Sequence, residues 1–68
     1  MKNAKLIGYR NMALLTQSDM AKYLEIAYPT YNAKENGRNK FTDIEKTKIK
    51  MILSKKLSKP LTIDELFF

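Results

Sequence analysis

The sequence predicts a small all-helical domain, on two observations. Three threonines are each followed three residues later by an acidic residue, which is the pattern of a capping box at a helix start. The pairs are Thr16 with Asp19, Thr42 with Glu45, and Thr62 with Glu65. Apolar residues then recur at helical spacing, and no strand-like alternation of useful length is present. We therefore expect a compact five-helix all-α fold.

Length and composition indicate one domain over residues 1–68. A chain of 68 residues lies near the lower limit for a self-supporting core, so efficient helix packing or association with a second chain is needed. The sequence has no Cys and no His, which excludes disulfides and the usual zinc-finger ligand sets. Without His or Cys for acid-base or nucleophilic chemistry, and with the acidic pairs explained as helix caps, we expect no enzyme activity, cofactor or metal.

The chain is basic, with 13 Lys and Arg against 7 Asp and Glu and a net charge of +6. Such a balance favours a polyanion or an acidic partner surface. No apolar run is long enough to span a bilayer, and the N-terminus lacks the apolar stretch of a signal peptide. The expected location is the cytoplasm, without membrane contact.

Caps and apolar spacing together place the five helices. We expect them over about residues 3–13, from Thr16 for two turns, over 28–36 with Gly37 as the stop, from Thr42 to about 57, and after Thr62. The predicted inward positions are Leu6, Tyr9, Ala13, Met20, Ala21, Leu24, Tyr31, Ile49, Ile52, Leu53 and Leu57. Met12 is also assigned to the core, and the apolar last helix is expected to dock on it.

The segment 16–37, TQSDMAKYLEIAYPTYNAKENG, carries a resemblance to a known family. Its Leu15-Thr16-Gln17 opening, Met20-Ala21, Leu24, Ile26, Thr30-Tyr31 and Glu35-Asn36-Gly37 resemble the Cro and lambda-repressor type of helix-turn-helix, the XRE family, and its temperate-phage regulators. The resemblance implies a lambda-repressor-like fold with helices 2 and 3 as the helix-turn-helix. It also implies binding to double-stranded operator DNA in a bacterial host cell.

The resemblance assigns the contact residues by position. Those expected to touch bases or a partner are Gln17, Tyr28, Pro29, Asn32 and Ala33. A basic stretch follows that suits phosphate contacts, and its residues are Lys34, Asn36, Arg38 and Lys40. Two departures stand out. Glu25 occupies a turn position usually held by Gly, which requires a strained backbone or another turn, and Lys34 replaces a usually apolar residue.

Two functions remain open at this point. One is a DNA-binding regulator, working as a homodimer on a two-fold operator. The other is a modulator or antirepressor that binds a second phage repressor through Tyr28, Pro29 and Tyr31, because the read-out face is unusually apolar. Ile44 and Met51 lie off the main stripe of the fourth helix. With Phe67 and Phe68 they form a predicted dimer or partner patch.

Overall fold

Five α-helices make up the fold in the computed structural model, which describes residues 2–68. The helices are α1 (Ala4–Met12), α2 (Gln17–Leu24), α3 (Tyr28–Glu35), α4 (Asp43–Leu57) and α5 (Ile63–Phe67). The described residues contain no strand, and α2 packs on α3 across a short turn. The predicted all-α, helix-turn-helix architecture is therefore confirmed.

All three predicted capping boxes form. In the first, the Thr16 hydroxyl accepts the Asp19 amide at 3.0 Å, and the Thr16 amide donates to the Asp19 carboxylate at 2.9 Å. The pairs Thr42 with Glu45 and Thr62 with Glu65 repeat this geometry. Each box satisfies amides that a helix start leaves without partners, so it fixes where α2, α4 and α5 begin.

The first four helices end in the same left-handed turn. Beyond α2, the Ile26 amide donates to the Ala21 carbonyl and the Glu25 amide to the Lys22 carbonyl, which is the Schellman pattern. The residues at the left-handed position of the four turns are Leu14 (φ 60°), Glu25 (φ 57°), Ser58 (φ 53°) and Gly37 (φ 86°). Only the last is a glycine, so three turns carry backbone strain. Of the two alternatives expected at Glu25, a strained backbone or another turn, the structure has the strained, left-handed backbone.

The core joins one buried face from every helix. Its buried apolar members are Leu6, Leu15, Met20, Ala21, Leu24, Tyr31, Phe41, Ile49, Leu53, Leu61 and Leu66. The Phe41 ring lies between Tyr31 and Phe67, with centroid distances of 5.7 and 5.6 Å. Docking of α5 on the core is thus confirmed.

Met12 is a correction to the predicted core. Its side chain is 61% exposed, because it lies two residues after buried Arg10 and therefore on nearly the opposite side of α1. Within residues 2–68, no helix has both the length and the apolar character needed to cross a membrane.

Relieving the strained turn after α2 should stabilise the protein. We expect Glu25→Gly to raise the free energy of unfolding by about 1 kcal/mol relative to Glu25→Ala, because only glycine adopts positive φ without a Cβ penalty. Urea denaturation of both variants measures the difference. Equal stability of the two variants would show that the turn holds no such strain.

Candidate functional site

A buried ion pair connects α1 to α3 behind the predicted recognition surface. Arg10 Nε and Nη2 each donate to one oxygen of the Glu35 carboxylate, both at 2.9 Å. Arg10 Nη1 donates to the Leu15 carbonyl at 2.8 Å, which also ties the loop before α2 to this pair. The two side chains are only 10% and 1% exposed. Such a two-pronged contact fixes orientation as well as charge.

Two further groups satisfy the Glu35 carboxylate. The Tyr31 hydroxyl donates to it at 2.6 Å, and Gln17 Nε2 donates at 2.8 Å. Burial alone would raise the pKa of Glu35, but the hydrogen bonds from Arg10, Tyr31 and Gln17 outweigh it and hold this pKa below 4.5. Burial and the adjacent carboxylate raise the pKa of Tyr31. The group is therefore an ionised carboxylate with four donors.

Gln17 carries this network from the interior to the surface. Its Oε1 accepts hydrogen bonds from the Tyr28 hydroxyl at 3.1 Å and from Asn32 Nδ2 at 2.9 Å. Asn36 Nδ2 in turn donates to Asn32 Oδ1 at 3.0 Å. Four residues predicted from the sequence thus form one row of hydrogen-bonded side chains. We call Gln17, Tyr28, Asn32 and Asn36 the polar row.

Pro29 and Ala33 form a second line of side chains on α3. Each follows a member of the polar row by one residue, so this line lies about 100° further around the helix. Pro29 is exposed and Ala33 is half-buried. The outward side of α3 therefore combines amide and hydroxyl groups with small apolar surfaces.

The predicted basic stretch separates into two parts. Arg38 and Lys40 are exposed in the segment between α3 and α4. Lys34 instead places its ammonium 2.6 and 2.7 Å from the two oxygens of Glu45, with both side chains 13% exposed. This pair links α3 to the capping box of α4. Lys34 therefore lies in an internal ion pair, apart from the exposed cations.

The predicted dimer or partner patch is also divided. Ile44, Met51 and Phe68 are 70%, 63% and 74% exposed. Phe67 instead is half-buried and packs edge-on against Phe41, so it offers less exposed surface than the other three. Lys46 Nζ lies 5.1 Å from the Phe68 ring centroid.

Tyr31 requires a second correction. It is completely buried, with its hydroxyl on Glu35, so it is a core anchor and cannot touch a partner directly.

Comparisons with protein-family models, with curated proteins and with solved structures found no match. The resemblance to the XRE family therefore stays a prediction that rests on the residues of segment 16–37. The helix-turn-helix architecture stands independently on the packing of α2 against α3.

Sequence reasoning missed the role of Arg10 and of Glu35 as its partner. One signal was available, because each lies four residues after a core residue on the same helix, Arg10 after Leu6 and Glu35 after Tyr31. A charged residue at an inward position needs a buried partner of opposite charge. Two such positions with opposite charges indicate an ion pair between helices.

We predict that acid destabilises the protein through Glu35. Its pKa is lower in the folded chain than in the unfolded chain, so its stabilising contribution is complete above pH 4.5 and is lost as pH falls through the folded value. The pKa values of Glu45 and Asp19 are lowered too and act in the same direction. Urea denaturation from neutral pH to about pH 3 measures this dependence.

Glu35→Gln is the matched variant for the acid prediction. It should cost about 3 kcal/mol at neutral pH, because the Arg10 guanidinium loses its buried counter-charge, and it should reduce the dependence on acid. A variant as stable as the wild type, or a wild type whose stability does not change with acid, would contradict the prediction.

Proposed function

We propose that the chain is a small phage-type transcriptional regulator that binds operator DNA through its helix-turn-helix, with α3 in the major groove. The observation that carries the proposal is the polar row on the outward side of α3, held by hydrogen bonds to Gln17 and followed along the chain by exposed Arg38 and Lys40. The major groove is wide enough to admit a helix presented in this way.

Asn32 is the side chain best suited to read a base. One Nδ2 hydrogen is used by Gln17 and one Oδ1 lone pair by Asn36, so the amide plane is fixed. The second hydrogen and the second lone pair remain to pair with adenine N7 and N6. An amide that is already oriented before binding loses little entropy on contact, which favours discrimination between adenine and the other bases.

The neighbours of Asn32 supply the complementary contacts. The Tyr28 hydroxyl donates to Gln17, so its oxygen is left to accept a hydrogen bond from a base amino group. Pro29 and Ala33 offer apolar surface to a thymine methyl group. Exposed Arg38 and Lys40 suit phosphates, which position the domain without reading sequence.

The proposed setting is the cytoplasm of a bacterial host, with two copies on a two-fold operator. A second candidate is kept because Tyr28 is 50% exposed and Pro29, the next residue, is exposed as well. In that candidate the same surface of α3 binds a second phage repressor and modulates it. Tyrosine is enriched in protein interfaces, which favours this reading. Co-purification with a candidate repressor, with Tyr28→Ala as the control variant, separates the two.

The two kinds of DNA contact should respond differently to mutation. We expect Asn32→Ala to weaken binding to the cognate duplex by roughly 1 to 3 kcal/mol and to leave other duplexes unaffected. Arg38→Ala should weaken all duplexes alike and reduce the salt slope by about one unit. Titration of duplexes from the control region at several salt concentrations measures both effects.

Lys48→Ala is the matched control for these titrations, because Lys48 is likewise an exposed cation and lies on α4, outside the polar row. It should leave cognate binding nearly unchanged. Binding that is absent at moderate salt, or equal for every duplex, would contradict the proposed function.

A further inference from the structure

A groove opens between α2 and the C-terminal half of α4. It encloses about 570 Å³, and its lining residues are Tyr23, Met51, Ile52, Lys55 and Lys56. We call it the α2–α4 groove. Tyr23 and Met51 are 46% and 63% exposed, although both are large apolar side chains. Tyr23 and Lys56 also line an adjoining hollow with Leu15, Asp19 and Lys22.

The rim of the groove is basic. Lys22, Lys55 and Lys56 are all exposed around it. Asp19 is the acidic residue of the adjoining hollow, and its pKa is lowered by the hydrogen bond from the Thr16 amide and by the nearby charges of Lys22 and Lys56. Three lysines around one carboxylate leave the rim with a net positive charge. Apolar anchors within such a rim fit a partner that is apolar in the middle and acidic at its edges.

The outward side of α4 extends this pattern into a stripe. Ile44, Lys48, Met51 and Lys55 follow one another at spacings of four, three and four residues, and all are exposed. Such spacing places them on one line of the helix. The line is about 16 Å long, which matches three turns of a partner helix laid along it.

Charge argues against a second copy as the occupant. A self-complementary interface on this stripe would bring lysines of two chains together, and each chain already carries a net charge of +6. We propose that the α2–α4 groove binds an acidic amphipathic helix of another protein, with apolar side chains on Tyr23 and Met51 and carboxylates on Lys55 and Lys56.

This docking site is separate from the polar row. None of the groove residues belongs to that row or to the exposed pair Arg38 and Lys40. The two surfaces share no residue, so the inference does not depend on what α3 binds.

The test is an NMR titration of the isotope-labelled chain. The probe is a synthetic helical peptide with leucines on one face and glutamates on the others. We expect amide shifts to concentrate at Tyr23, Met51 and Lys55, and Tyr23→Ala or Met51→Ala to weaken binding by about tenfold. Met12→Ala is the matched control, because Met12 is 61% exposed against 63% for Met51. It should bind like the wild type.

Three further measurements complete the test. A peptide with glutamine in place of glutamate should lose most of its affinity, which would support charge recognition. Equal binding of that peptide, or no shifts in the groove with either, would overturn the proposal. A short duplex DNA that shifts the groove residues as strongly as the peptide would also overturn it. So would concentration-dependent self-association that Met51→Ala abolishes.

Discussion

The buried ion pair between Arg10 and Glu35 is the interaction on which the placement of the polar row depends. It joins α1 to α3 and, through the Leu15 carbonyl and Gln17, it also holds the start of α2. A buried ion pair adds little stability compared with an apolar pair of the same shape, because both charges lose their hydration. The contribution of the Arg10–Glu35 pair is therefore chiefly the orientation that its hydrogen bonds fix. Across residues 2–68, every buried polar side-chain atom has a hydrogen-bond partner. An orientation that satisfies all of these groups at once leaves α2 and α3 little freedom to shift.

Local patterns in the sequence were sufficient to predict the helices, but they did not predict the contacts between residues far apart in the chain. Thr16, Thr42 and Thr62 identified three helix starts because a capping box involves only neighbours within one turn. The pairing of Arg10 with Glu35 joins positions 25 residues apart. Helical spacing marks both as inward positions, but it does not show that the two side chains meet. The same limit applies to Lys34, which the sequence predicts as a phosphate contact, although in the structure its ammonium donates to the Glu45 carboxylate.

Apolar character alone was a weaker guide to burial than spacing. Met12 was expected in the core and is exposed, whereas Phe67 was expected in a surface patch and packs on Phe41. The position of Met12 is nearly opposite the buried side of α1, so spacing, unlike apolar character, indicates its exposure. By contrast, Ile44 and Met51 were placed off the main stripe by spacing and are indeed exposed. The outward line of α4 that results is the basis for a second, basic and apolar surface.

The claim that an ionised carboxylate orients the helix-turn-helix is tested most directly by NMR titration of the Glu35 side-chain carboxyl carbon. We predict a midpoint below 4.5, the ordinary value for this residue, because Arg10, Tyr31 and Gln17 all donate to the charged form. We further predict that Gln17→Ala moves the midpoint upward, since one donor is lost. A midpoint at or above 4.5 would contradict the claim, and so would one that Gln17→Ala leaves in place.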